Sequence, residues 1–300
     1  MKLGVVLPIA AEPTGAHVPR YADIRDAALV AEAAGFDSVW VFDHLLMRFP
    51  GQPTIGFWEP WTMLSALAEA TERVELGTLV MCVPFRNPGL LAKMADALDE
   101  ISGGRLVLGL GAGWHQPEFD AFGYPFDHLA SRFEDGIEII APLLRNGAVT
   151  HEGAYSRAID AVALPRGPRR SGPPILIASS QPRMHALTAK WADAWNTCWF
   201  GRPTGLQARL DSLNEALAAA GRDPATLRKT VGVVVTFPDL APRSDEPIDP
   251  DQTLSGTVDE IADGLRAYEA FDIDDVIIAP TPGTPEAHRR MAEVLRAYRA

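Results

Sequence analysis

Asp43 and His44 stand side by side just after the short apolar run 38–42. A histidine in such a place can donate or accept a proton near neutral pH. Asp43 either orients a neighbouring group or binds loop amides. A second polar group, Ser179-Ser180-Gln181-Pro182, follows another apolar run and opens a helix-like stretch. Hydroxyls and free amides at a helix start make an anion site, and the same serines equally make an ordinary helix cap. The string Gly109-Leu110-Gly111-Ala112-Gly113 has the look of a phosphate loop, but no Lys-Ser/Thr follows and no helix begins at once. Closely spaced glycines more simply let a flat ligand approach the backbone. Trp114 and Trp199 fall just past apolar runs, where their rings can flank an aromatic ligand. Trp58, Trp61 and Trp195 read as core, and Glu118 and Asp120 as capping or solvent-facing carboxylates. No zinc spacing, Ser-His-Asp set or carboxylate pair stands out.

These residues need elements to hold them. Apolar runs rich in Val, Ile and Leu occur at 3–9, 38–42, 74–80, 106–110, 175–178, 194–197, 230–237 and 276–279. Such runs fit strands buried on both faces. Between them lie helix-like stretches at about 22–34, 60–71, 88–101, 128–145, 183–191, 204–220, 257–270 and 284–298. Gly35 supplies a helix end, and Pro224, Asp259 and Pro285 sit where helix starts and breaks are expected. Eight strands alternating with helices predict a (β/α)8 barrel, with an open doubly wound sheet as the alternative. In a barrel the residues past each strand's carboxyl end line the active site. Asp43, His44, Met81, Cys82, Gly111, Ala112, Trp114, Ser179, Ser180, Gln181, Cys198, Trp199, Pro280 and Thr281 all meet that condition.

Residues 1–300 read as one such domain with two insertions. Residues 146–172 carry a small hairpin near 149–155, and 238–256 are rich in Pro, Asp and Ser. Together with loop 46–57, they are expected to wall the substrate space. The 27 Lys and Arg against 39 Asp and Glu give a net charge of −12, which argues against a nucleic-acid partner and leaves a small molecule. Two cysteines, Cys82 and Cys198, are too few for a disulfide framework and point to a cytoplasmic protein. No apolar run is long enough to cross a membrane, and the opening MKLGVVLPIA reads as the first strand rather than a leader.

Several strings together resemble the bacterial luciferase-like monooxygenase family, nearly end to end. They are Asp43-His44; Ser102-Gly103-Gly104-Arg105-Leu106 leading into Leu108-Gly109-Leu110-Gly111-Ala112-Gly113-Trp114; Glu118-Phe119 with Gly123-Tyr124-Pro125-Phe126; Gly172-Pro173-Pro174-Ile175; and Ala192-Asp193-Ala194-Trp195-Asn196. The resemblance implies a (β/α)8 barrel, usually homodimeric, with a flavin or deazaflavin at the strand carboxyl ends. It implies an oxidoreductase using coenzyme F420. The alternatives are an FMN-dependent monooxygenase fed by a separate reductase and a non-catalytic flavin-binding barrel. By resemblance, His44 lies near the tricyclic ring and is the catalytic residue, and Ser179 and Ser180, with Gln181, meet the cofactor phosphate. Gly77-Thr78-Leu79-Val80-Met81 matches the segment beneath the ring, with a non-proline cis peptide at Leu79–Val80. Asp43, Cys82, Gly111 and Ala112 complete the cofactor-facing set, and Trp114 and Trp199 face the substrate. Coenzyme F420 carries an oligoglutamate tail that FMN lacks, and Arg183, His185, Arg166, Arg169 and Arg170 are candidates to steer it. Trp114 stands where the sugar-phosphate dehydrogenase branch has a glutamate, and Cys82 where it has a threonine, so a sugar phosphate is not the expected substrate.

Overall fold

A computed structural model describes residues 1–11, 18–240 and 248–300. Its centre is a closed parallel barrel. The strands are β1 (Lys2–Val6), β2 (Ser38–Val41), β3 (Glu75–Thr78), β4 (Leu106–Gly111), β5 (Ile175–Ala178), β6 (Ala194–Phe200), β7 (Arg228–Thr236) and β8 (Asp275–Pro280). Each pairs with the next, and β8 returns to β1 with Asp275 opposite Lys2, so no edge is left open. The doubly wound alternative is excluded by that closure.

Helices wrap the barrel: α1 (Tyr21–Ala34), α2 (Pro60–Ala70), α3 (Pro88–Ile101), α4 (Gln116–Phe122), α5 (Leu129–Asn146), α6 (Pro182–Trp191), α7 (Leu206–Ala219), α8 (Val258–Arg266) and α9 (Pro285–Arg299). Gly35 ends α1 in the left-handed conformation, φ 94°. The Thr257 hydroxyl accepts from the Glu260 amide to start α8. The helix α4, directly after the Gly-rich string, is absent from the sequence-level reading. Its seven residues are too short to show a helical period.

The core has two layers. Outward-facing strand residues such as Leu3, Val39 and Leu76 pack against the helices. Inside the barrel lie Val6, Trp40, Leu79, Val107, Leu176, Ala194 and Ile277. Trp40 fills this interior, and a Cβ on Gly77 would sit 2.1 Å from its ring. The barrel is therefore plugged, and open space begins only at the strand ends.

The first insertion is a hairpin, Ala148–Glu152 with Arg157–Val162. It lies outside the barrel along α5, where Asp135 accepts the Tyr155 amide at 2.7 Å. Its turn and the first residue of its second strand reach the upper rim, where Tyr155, Ser156 and Arg157 line a cavity of about 300 Å³ with Pro84 and Arg86. The whole segment is thus not a substrate wall as expected. Of the second insertion, residues 241–247 lie outside the described residues. The strand Leu254–Ser255 extends the sheet beside β7. Among the described residues, no helix is long and apolar enough to cross a membrane.

Candidate functional site

The end of β2 delivers Phe42, Asp43 and His44 to the mouth of the barrel. The His44 Nδ1 lies 3.0 Å from Glu118 Oε1, and Glu118 Oε2 accepts the Leu45 amide at 2.9 Å. Glu118 is 2% exposed, so it neither caps α4 nor faces solvent, contrary to the sequence-level expectation. Its position follows from Phe119, which buries its ring against Cys82 and Phe85 and pins α4 under the rim. One residue before α4, the buried His115 accepts the Arg48 amide on Nε2 at 2.9 Å. Burial lowers the pKa of His115, which keeps it a neutral acceptor. Loop 46–57 is thereby clamped to α4 beside the site.

Asp43 resolves into both of its expected roles. Its carboxylate accepts the Cys82 amide at 2.7 Å and a bidentate pair from Arg86, at 2.5 and 2.9 Å. Arg86 also donates to Glu59 Oε1 at 3.0 Å. Burial pushes the Asp43 carboxyl up, and the guanidinium and the Cys82 amide pull against it. Asp43 and Cys82 therefore form a buried bracket beside the mouth. Burial also pushes the Cys82 thiol up, away from thiolate chemistry. Arg86 was not singled out from the sequence because no motif ties it to Asp43, 43 residues away.

The Leu79–Val80 peptide is cis, as the resemblance implied. The Gly-rich string serves this segment. A Cβ on Gly109 would lie 1.9 Å from the Thr78 carbonyl oxygen, and one on Gly111 2.5 Å from Val80 Cγ2. The glycines at 109 and 111 admit the neighbouring strand's backbone and Val80 rather than a ligand, which corrects the sequence-level reading. Leu79 is buried in the barrel plug and Val80 is partly exposed at its upper edge, whereas Ala112, also partly exposed, packs against the outer core layer.

At the end of β5, Ser179 and Ser180 separate. Ser179 is buried: its hydroxyl accepts from Trp195 Nε1 at 3.0 Å and lies 3.1 Å from Thr188 Oγ1. Ser180 and Gln181 are exposed at the start of α6, and Gln181 occupies the cap position with no side-chain bond to the helix amides. An anion there would meet backbone amides and Ser180, not the Ser179 side chain.

Of the cations expected to steer an anionic tail, Arg183 alone stays at the start of α6 with its side chain outside the core. Arg169 bonds Asp99 and the Leu106 carbonyl at the amino end of β4, and Arg166 donates to the carbonyls of Leu144 and Arg170. Residues that precede a strand sit at its amino end, so this cluster, including Arg170, lies on the face opposite the site. His185 is buried between Ser212 and the Ser179 carbonyl. Arg183 remains at the α6 start, paired with Glu134 at 2.5 Å.

Aromatic rings surround His44. Trp114 meets it edge-on at 5.7 Å between centroids, and Phe57 lies at 5.4 Å. Trp199 projects from β6 to Phe42 on the far side of the barrel, edge-on at 5.7 Å. Its ring packs over Gly232, and the Cys198–Trp199 peptide is also cis. Trp114 is 57% exposed and Trp199 39%, unusual for such large apolar surfaces. Trp58, expected in the core, is also exposed at 42%, while Trp61 and Trp195 are buried. Just below the rim, Asn196 donates to Thr230 at 2.8 Å, and its Oδ1 is buried without a partner among the described residues.

The profile of a family described as luciferase-like monooxygenase matches residues 1–246. A phthiodiolone/phenolphthiodiolone dimycocerosates ketoreductase from Mycobacterium kansasii is 30% identical over 221 residues, 68% of this chain and 60% of that protein. The chain thus spans about three fifths of the length of that relative. An F420-dependent glucose-6-phosphate dehydrogenase from Kineococcus radiotolerans is 30% identical over 263 residues, 85% of this chain and 73% of that protein. Among solved structures, an F420-dependent secondary alcohol dehydrogenase in complex with an F420-acetone adduct superposes with a TM-score of 0.79 at 18% identity, covering 100% of this chain and 99% of the other. At that identity the likeness concerns the fold.

Proposed function

Given that the chain belongs to the luciferase-like monooxygenase family, we propose that it is a coenzyme F420-dependent oxidoreductase acting on a small organic substrate. The observation that carries the chemistry is His44 at a strand end, its Nδ1 beside a buried carboxylate and its Nε2 bonded by no described residue. The match to an F420-dependent dehydrogenase over 85% of the chain favours the deazaflavin.

The residues present fit such a cofactor. The start of α6 has no side-chain cap, and exposed Ser180 and Gln181 stand beside it, which suits a phosphate. Val80, with Phe42 and Ala279, offers a partly exposed apolar edge above the plugged barrel, which suits a flat ring. Bound there, the deazaflavin would supply or take a hydride. His44 exchanges a proton through Nε2 with the substrate oxygen. Trp114, Phe57 and Trp199 exclude water from that proton and present ring faces to an uncharged substrate. Asp43 and Arg86 keep the Cys82 segment, and with it the floor of the mouth, in place.

The test is a paired titration of oxidised coenzyme F420 and FMN, followed by fluorescence at low and high ionic strength. Tighter binding of coenzyme F420 is expected. With the Arg166–Arg169 cluster on the opposite face, salt should weaken it only modestly. Micromolar FMN binding without detectable coenzyme F420 binding would overturn the proposal in favour of the FMN-dependent monooxygenase.

A further inference from the structure

His44 has two ring nitrogens, and its usefulness depends on which one carries the proton. Glu118 bears on that choice through both of its oxygens. Oε2 accepts from the Leu45 amide, which can only donate, and Oε1 faces His44 Nδ1. An ionised carboxylate has no proton to give, so a bond between Oε1 and Nδ1 needs the proton on the nitrogen. We propose that Glu118 is a positioning residue that holds the neutral His44 ring in its Nδ1–H form, so that Nε2 presents a lone pair to the mouth.

The surroundings agree. The rings packed on it are Phe42 from its own strand end and Phe57 and Trp114 from other segments, all uncharged and offering Nδ1 no competing acceptor. Of the titratable groups nearby, His115 has its Nε2 engaged by the Arg48 amide, and the Asp43 carboxylate is taken up by Arg86 and the Cys82 amide. When His44 takes up a proton at Nε2, Nδ1–H still has Glu118 Oε1 as its acceptor at 3.0 Å, so the ring keeps its orientation. The arrangement rests on the proposed oxidoreductase role only for its use, since the tautomer is a property of the protein alone.

A substitution of nearly unchanged shape inverts it. In Glu118→Gln the amide oxygen must still face the Leu45 N–H, which leaves the NH2 group facing Nδ1. Nδ1 then has to accept, and the proton moves to Nε2, facing the mouth. Nitrogen NMR of protein labelled in its histidines reads this directly, with His44 assigned by its loss in a His44→Ala sample. In alkaline buffer the wild-type ring should show a protonated Nδ1 and a bare Nε2, and Glu118→Gln the reverse. Turnover in Glu118→Gln should fall at least about 100-fold, with Glu118→Asp recovering part of it. A wild-type ring protonated on Nε2, or the same pattern in both proteins, would overturn the proposal. The wild-type spectrum decides the point even if the variant folds poorly. It needs no cofactor, so failure of the coenzyme F420 assignment would leave it intact.

Discussion

Asp43→Asn removes one charge from the bracket under the site and leaves its shape. The carboxylate holds three donors: the Cys82 amide and Arg86 Nη1 on Oδ2, and Arg86 Nη2 on Oδ1. The asparagine oxygen can replace Oδ2, but the NH2 group then confronts Nη2, donor against donor. One charge-assisted bond is lost, worth about 1.5–3 kcal/mol. The guanidinium, 13% exposed, keeps the asparagine oxygen on Nη1, but its one remaining carboxylate partner among the described residues is Glu59, which is 44% exposed. Removing one member of a buried pair costs about 3–5 kcal/mol when nothing remains. The surviving Glu59 contact places this case at about 2–3 kcal/mol. At about 2.1 cal/mol/K per residue, a chain of this length loses roughly 3–5 °C in Tm. Calorimetry of Asp43→Asn, Arg86→Gln and the double variant checks the argument. The double variant should cost clearly less than the sum of the singles, because both disrupt one contact. An unchanged Tm for Asp43→Asn, or strict additivity, would refute the bracket.

Two other perturbations follow from the packing and charge. Gly109→Ala should yield little soluble protein, since its Cβ would meet backbone at Thr78. Gly111→Ala meets only the Val80 methyl and should cost about 1–3 kcal/mol by urea unfolding; equal behaviour of the two variants would count against that distinction. Burial alone would push Glu32 up, but the amides of Arg73, Val74 and Glu72 outweigh it and hold its carboxyl below the ordinary range. With a lowered folded pKa, its contribution is present above the unfolded value and is lost as pH falls through the folded one. Glu32→Gln should therefore be less stable than wild type at neutral pH, with the gap closing in acid, as read by urea midpoints across pH.

The alternation of apolar runs with helix-like stretches carried the barrel, because strands buried on both faces and helices with one apolar stripe leave distinct periods in a chain. The same order placed Asp43, His44, Trp114, Ser180 and Trp199 at the strand carboxyl ends, since in parallel strands chain direction decides which end a residue occupies. That rule equally puts Arg166, Arg169 and Arg170, which precede β5, at the far end. Side-chain partners were a different matter. Glu118 reaches His44 across 74 residues and Arg86 reaches Asp43 across 43. Neither pair has a local period or motif, because each is made only when separate strand ends converge on one mouth. Ser179 turned inward to Trp195, and Gly109 and Gly111 turned out to accommodate a neighbouring strand, for the same reason. A residue's type limits the bonds it can make, and the packed barrel chooses among them by bringing only some donors, acceptors and backbone within reach.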